Sequence, residues 1–228
     1  KFCATGTMSR IRNLTAGEIY DQVVLISKKC IEVYNLPLTN IVYMGMGEPL
    51  LNYRNVIRSI HFITSDDGLE MSYKRLTLST SGIAKMIRRL ADDNIKVNLA
   101  LSLHAASEEI RNSIMPIGGS NSLEDLRDSL KYYFSKTKRK ITYEYILLKD
   151  VNDTVKDADN LYKFTKHIPS KVNLIEYNPV NGLGFEKSSE KNTNLFINYL
   201  DSRKVNVGLR RSRGKDINAA CGQLANKK

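Results

Sequence analysis

The chain has 228 residues, of which 42% are hydrophobic, which is typical of one globular domain with a sizeable core rather than of a disordered segment. Its 35 Lys and Arg residues exceed its 24 Asp and Glu residues by 11, a balance that favours a polyanionic partner such as nucleic acid. No apolar run approaches the roughly 20 residues needed to span a bilayer, so no membrane-spanning helix is predicted.

The first predicted element is a helix. Thr15 and Glu18 form a capping box, and apolar residues follow at helical spacing as far as Val33. Cys30 lies on that apolar face and is predicted to be a buried core residue. The three cysteines, Cys3, Cys30 and Cys221, are odd in number and widely spaced, which favours a reducing cytoplasm over a disulfide framework. The sequence contains no CxxC pair, so a self-contained zinc site is not predicted.

Strands and helices are predicted to alternate along the rest of the chain. The predicted strands are 41–44, 75–80, 97–103, 141–148, 171–177 and 205–209. The predicted helices after the first are 56–63, 83–94, 107–114, 121–135 (capped by Asn121), 154–167 and 195–200, with a loop at 115–120. This alternation predicts a mostly parallel sheet in a single α/β domain. Ligands of such folds bind at the carboxyl ends of the strands.

Polar or small residues follow four of the predicted strands. Gly47 and Glu48 follow the first strand, where Pro49 restricts the backbone and leaves Glu48 without a packing role, placed to accept hydrogen bonds from a ligand cation. Others lie at the ends of the second, third and fifth strands: Ser79, Thr80, Ser102, His104 and Asn178. Singly each has an ordinary structural interpretation as a turn or capping residue. Together they predict one ligand pocket.

The C-terminal part of the chain carries two further candidates. Arg210, Arg211 and Arg213 form a basic cluster suited to phosphate contacts, although a solvated charge run has the same appearance. Cys221 follows on a segment flanked by small residues. Neighbouring arginines are expected to lower the pKa of its thiol and favour the nucleophilic thiolate, while the alternative is an unreactive cysteine.

Several motifs occur in an order typical of one enzyme family. They are FCATG, MGMGEPLLN, TLSTSG, SLHA, an Asn-Pro pair after an apolar strand, and RGKDINAACGQL. On these motifs the chain, from Cys3 to about Leu224, resembles the radical-SAM adenine-C2 RNA methyltransferases, which modify 23S ribosomal RNA and tRNA. The resemblance implies a partial (β/α)6 barrel, residues 1–228, with a methyl-carrier segment at about 209–228. It also implies that the first strand and two cluster cysteines lie upstream of Lys1, so that the chain is incomplete and inactive as it stands.

The same resemblance implies roles for individual residues. Cys3 would ligate one iron of a [4Fe–4S] cluster, which an electron donor must reduce. Gly47 and Glu48 would hold the amino group of S-adenosylmethionine. The rest of the cofactor would be lined by Ser79, Ser102, Leu103, His104 and Asn178. Cys221 would be the cysteine that is methylated first, since C2 of adenine is not nucleophilic enough to accept a methyl group directly from a sulfonium.

Three alternatives share part of this pattern. The C8-adenine methyltransferases of the same family carry the same motifs. A non-catalytic RNA-binding barrel would explain the missing upstream cysteines. A sugar-phosphate barrel enzyme would leave the ACGQL motif and the basic C-terminal segment unexplained.

Overall fold

The computed structural model describes residues 1–116, 121–212, 214, 217 and 220–223. The predicted alternation of strands and helices is confirmed, with boundaries that shift by a few residues. The strands are β1 (Ile41–Tyr43), β2 (Leu76–Thr80), β3 (Asn98–Ser102), β4 (Ile141–Leu147), β5 (Ser170–Glu176) and β6 (Val207–Arg210). The α-helices are α1 (Ala16–Tyr34), α2 (Tyr53–Thr64), α3 (Ala84–Asp92), α4 (Glu108–Ile114), α5 (Leu123–Thr137), α6 (Val155–Thr165) and α7 (Glu190–Ser202). Part of the loop predicted at 115–120, residues 117–120, lies outside the described residues.

All six strands are parallel and lie in chain order, β1 to β6, with at least one helix between each pair of consecutive strands. Parallel strands need such crossover connections, and a sheet wound in sequence order curls towards a barrel. The sheet is therefore the open barrel wall predicted from the sequence. Among the described strands, β1 and β6 form its two edges.

The two faces of the sheet differ in chemistry. One face carries large apolar side chains that pack against the helices, and on β4 these are Ile141, Tyr143, Tyr145 and Leu147. The alternate positions point to the other face, because successive side chains of a strand point in opposite directions. On that inner face β4 carries Thr142 and Glu144, and β2 carries Thr77 and Ser79, so polar side chains line part of the barrel interior.

Two details of the helices differ from the prediction. Thr15 caps α1 with Glu18 as expected, but Cys30 is half-buried rather than part of the core. The reason is that only the first half of α1, through Ile19 and Val23, packs against the core, while Ile26 and Val33 are exposed. The cap of α5 is not Asn121.

The N-terminal cap of α5 is Ser122, whose side chain accepts a hydrogen bond from the backbone of Asp125. The side chain of Asn121 instead accepts a hydrogen bond from the backbone nitrogen of Ala84 at 3.0 Å, at the start of α3. Asn121 therefore satisfies a free N–H at the beginning of a different helix, a long-range pairing that a local capping pattern does not reveal.

Candidate active site at the carboxyl ends of the strands

The loops after β1 and β2 are joined through Glu48. Its Oε1 accepts a hydrogen bond from the backbone nitrogen of Leu50 at 3.0 Å, and its Oε2 accepts bonds from the backbone nitrogen and the hydroxyl of Ser81, both at 2.6 Å. The expectation that Glu48 has no structural role is therefore wrong, because the carboxylate holds two strand-end loops together. Gly47 beside it has a φ of +109°, which glycine adopts without strain, and open space above its Cα lets a ligand approach the backbone.

Arg111 of α4 binds the same loop, and no sequence motif had pointed to this residue. The side chain is fully buried, and its Nη2 donates to the carbonyl oxygen of Ser81 at 2.6 Å. Nε and Nη1 have no hydrogen-bond partner among the residues that the structure describes. Burial lowers the pKa of the guanidinium, and the nearby Glu108 opposes that shift. Arg111, Ser81 and Glu48 thus form one chain of hydrogen bonds beneath the strand ends.

The serines at the ends of β2 and β3 lie side by side. The hydroxyls of Ser79 and Ser102 are 3.5 Å apart, and both residues are half-buried. Just beyond Ser102 the backbone nitrogens of Leu103 and His104 both donate to the carbonyl oxygen of Glu144, at 3.0 and 3.2 Å. The end of β3 is therefore fixed on β4.

His104 is a buried, neutral imidazole. Its Nδ1 accepts a hydrogen bond from the backbone nitrogen of Ile146 at 3.1 Å. The ring of Phe2 packs edge-on against the imidazole, with the two ring centroids 4.8 Å apart. Burial, with a further contribution from Arg111, lowers the pKa of His104 to about 3. The backbone of His104 has a φ of +58° and is held by Asn152, whose Nδ2 donates to the His104 carbonyl oxygen at 2.6 Å.

This burial predicts a pH dependence of stability. The pKa of His104 lies below its ordinary value of 6.5, so the folded state binds fewer protons than the unfolded state, and stability is lost as the pH falls from 6.5 towards 3. Between about pH 7.5 and pH 5, the free energy of unfolding should fall by about 2 kcal/mol more for the wild type than for His104→Asn. Asparagine tolerates the positive φ, and urea unfolding at each pH measures the difference. Parallel curves for the two proteins would contradict the assignment.

The C-terminal segment lies across the end of β5. Asn178 donates through Nδ2 to the hydroxyl of Ser212 at 2.8 Å and to the carbonyl oxygen of Cys221 at 3.0 Å. The backbone nitrogen of Ala4 donates to the carbonyl oxygen of Gly222 at 2.8 Å. The loop of Cys3 and the segment of Cys221 are therefore pinned beside each other. The Oδ1 atom of Asn178 is buried and has no partner in the described part of the chain, so it is a free acceptor at this strand end.

Cys221 is a free thiol, and the residue is exposed. The surrounding protein still desolvates its sulfur and raises its pKa; Arg210 opposes that shift, while Cys3 and Glu144 add to it. The expectation that the pKa of Cys221 falls is therefore wrong, because desolvation outweighs the lowering by Arg210. Arg210 and Arg211 are exposed, whereas Arg213 lies outside the described residues.

The described residues supply one candidate cluster ligand. Cys3 is free and half-buried at the barrel opening, but no group of three or more His, Cys, Asp or Glu side chains among the described residues could hold a metal ion. A three-cysteine cluster site is therefore not built by these residues. Two of the residues expected to bind S-adenosylmethionine do have room for a ligand. Among the described residues Asn178 Oδ1 has no hydrogen-bond partner, and the space beside the Gly47 backbone is open.

Comparison with known proteins agrees with this architecture. A family model described as the Radical SAM superfamily matches residues 1–164, and the chain belongs to that superfamily. The crystal structure of a radical SAM methyltransferase from Sphaerobacter thermophilus is 40% identical, with a TM-score of 0.94 over 97% of this chain and 65% of that one. The crystal structure of Streptococcus suis SuiB bound to S-adenosylmethionine is 14% identical, with a TM-score of 0.61 over 93% of this chain and 47% of that one. At this identity the likeness shows the fold alone.

The resemblance to the RNA methyltransferases of this superfamily is confirmed. A curated protein of Flavobacterium psychrophilum, named "Probable dual-specificity RNA methyltransferase RlmN", is 55% identical over 226 residues. The match covers 99% of this chain and 65% of that protein. The chain therefore spans somewhat less than two thirds of this relative's length. No helix in the described part of the chain is long and apolar enough to cross a membrane.

Proposed function

We propose that this protein is a cytoplasmic radical-SAM RNA methyltransferase that methylates C2 of adenine in 23S ribosomal RNA and in tRNA, with Cys221 as the methyl carrier. The observation that carries the proposal is the hydrogen bond between Ala4 and Gly222, which sets the segment of Cys221 beside the loop of Cys3 at the carboxyl ends of the strands. The names of the relatives and the net charge of +11 support an RNA substrate.

The proposal assigns the cofactor to the strand ends. S-adenosylmethionine supplies the methyl group when bound, with its amino group near Gly47 and Glu48. Asn178 offers a free oxygen acceptor near the end of β5. The remaining contacts are assigned to Ser79, Ser102, Leu103 and His104. Cys3 is proposed as one ligand of the iron–sulfur cluster that the superfamily implies, with an electron donor as a further partner.

The side chains around Cys221 decide whether its sulfur can accept a methyl group. A thiol must lose its proton to become an effective nucleophile, and desolvation disfavours that loss here. Arg210 favours the thiolate and so partly offsets the desolvation. Asn178 holds the Cys221 backbone at the strand ends, which fixes the direction from which the sulfur approaches a bound ligand.

The test of the proposed function is the product formed by the full-length, cluster-loaded enzyme on ribosomal RNA. Nucleosides from digested RNA are separated and identified by mass spectrometry, and 2-methyladenosine is expected. Formation of 8-methyladenosine would assign the protein to the C8 enzymes instead. Loaded enzyme that binds RNA but forms neither product would favour the non-catalytic barrel.

The basic residues next to Cys221 are proposed to contact RNA phosphates. Changing Arg210, Arg211 and Arg213 together to glutamine should weaken RNA binding and reduce the slope of log affinity against log salt by roughly two to three units. The end of α5 and the loop after it give a matched control, since they lead into the amino end of β4. Changing Lys136, Lys138 and Lys140 to glutamine should leave the slope nearly unchanged. Equal slopes for the first variant and the wild type would identify the arginines as a solvated surface.

A further inference from the structure

Glu144 lies in the middle of a polar row that crosses the inner face of the sheet. The strand register pairs Ser102 with Glu144 and Glu144 with Asn173, and Asn173 in turn pairs with Gly208. Paired residues of parallel strands point to the same side of the sheet, so these side chains share the barrel interior. The row therefore continues from Ser102, a residue assigned above to the cofactor, to two polar side chains that have no assigned role.

The carboxyl group of Glu144 is only half used by the protein. The residue is 4% exposed, and its Oε1 accepts a hydrogen bond from Asn173 Nδ2 at 2.9 Å. Its Oε2 is buried and has no hydrogen-bond partner among the described residues. A buried carboxylate oxygen without a donor is costly, and such atoms usually have a partner. Burial raises the pKa of this carboxyl group. The hydrogen bond from Asn173 and the positive charges of Arg210 and Lys171 oppose that shift.

A cavity adjoins Glu144 and gives a ligand room. Its volume is about 430 Å³, within the range of roughly 300–1,000 Å³ that is usual for small-molecule sites. It is lined by Val42, Met44, Thr77, Thr142, Glu144, Lys171, Asn173, Gly208, Leu209 and Arg210. Gly208 contributes no side chain to the wall, so the space beside Asn173 stays open.

We propose that Glu144 Oε2 accepts a hydrogen bond from a ribose hydroxyl of the bound S-adenosylmethionine, with Asn173 holding the carboxylate in position. This inference rests on the proposed function, because it takes Ser102 as a contact of the same cofactor. A carboxylate oxygen needs a donor, and the cofactor offers the methionine ammonium, the ribose hydroxyls and the adenine amino group.

The order of the strands assigns these donors. The ammonium is placed at the loop after β1, beside Gly47 and Glu48. Asn178, after β5, carries a free acceptor suited to the adenine amino group. The ribose joins these two ends of the cofactor, so it lies over the intervening strands β3 and β4, where Glu144 is the acidic residue of the polar row. An acidic side chain on a ribose hydroxyl is a recurrent arrangement in nucleotide sites.

The experiment compares two forms of the full-length, cluster-loaded enzyme, the wild type and Glu144→Gln. Calorimetry measures their affinities for S-adenosylmethionine and for its 2′-deoxy and 3′-deoxy analogues. Glutamine keeps the shape of the side chain and can still accept from Asn173, but it replaces the free carboxylate oxygen by an amide group. One deoxy analogue should bind the wild type about 10- to 100-fold more weakly than the natural cofactor. For Glu144→Gln the natural cofactor should bind more weakly, and removal of that hydroxyl should cost little more.

Thr142→Val is the matched control, because Thr142 lines the same cavity two residues earlier on the same inner face. This variant should keep the full discrimination against the deoxy analogue. If the wild type binds both deoxy analogues as tightly as the natural cofactor, the inference is overturned whether or not the glutamine variant folds. Equal discrimination by wild type and Glu144→Gln would overturn it as well. A loaded wild type without affinity for S-adenosylmethionine would instead remove the proposed function itself.

Discussion

Cys221→Ala enzyme, in its full-length and cluster-loaded form, is expected to bind S-adenosylmethionine and RNA but to leave adenine unmethylated. The sulfur is the proposed methyl carrier, and among the described residues it makes none of the hydrogen bonds that hold its segment. Asn178 binds the Cys221 carbonyl oxygen, and Ala4 binds the carbonyl oxygen of Gly222. These are backbone acceptors that alanine retains. The product should fall below detection in mass spectrometry of digested RNA, since the sulfur that would carry the methyl group is removed.

A peptide measurement tests the same residue without the RNA. Wild-type enzyme incubated with S-adenosylmethionine should carry an added methyl group on the peptide that contains Cys221. Cys30→Ala is the matched cysteine control, because Cys30 is a half-buried residue of α1 and takes no part in the strand-end loops. It should retain full activity. An unmethylated Cys221 peptide, together with residual adenine methylation by Cys221→Ala, would refute the carrier role.

The order of elements was predictable because the local signals agree with the tertiary structure. Short apolar runs that end at glycine or serine correspond to β1, β2 and β3. The capping box predicted at Thr15 is present at the start of α1. The residue-level failures have a common origin. Cys30 lies on an apolar stripe, but periodicity alone does not say how much of a helix is covered by its neighbours.

The candidate site was predictable where a motif coincides with a strand end, and not where the partner is distant in sequence. Glu48 binds Ser81, 33 positions away, and Arg111 supports that same serine across 30 positions. Glu144 belongs to an apolar strand in the sequence, and its unpaired oxygen becomes visible only when β3 and β5 lie on either side of it. The effect of burial on the pKa of Cys221 likewise depends on the fold rather than on neighbouring residues.

Asn152 shows how the strand ends are stabilised by a residue outside the motifs. It is fully buried, and its Nδ2 donates to the carbonyl oxygens of His104 at 2.6 Å and Ile146 at 2.7 Å. Its Oδ1 accepts from the backbone nitrogen of Leu148 at 2.8 Å. The side chain thereby ties the loop after β3 to the end of β4, where His104 has its positive φ.

Asn152→Ala should therefore be among the most destabilising single changes in this chain. Alanine leaves two buried carbonyl oxygens and one buried N–H without that partner, and we expect a loss of about 3–4 kcal/mol in the free energy of unfolding. In a domain of this size that corresponds to a fall in Tm of roughly 10 °C. Asn40→Ala is the matched control, since Asn40 is exposed and its side chain bonds only the neighbouring Thr39 among the described residues. It should change stability by less than about 0.5 kcal/mol. Urea unfolding compares the two variants. A cost below about 1 kcal/mol for Asn152→Ala would mean that water or a shifted backbone replaces all three hydrogen bonds, and that Asn152 does not hold the strand ends in place.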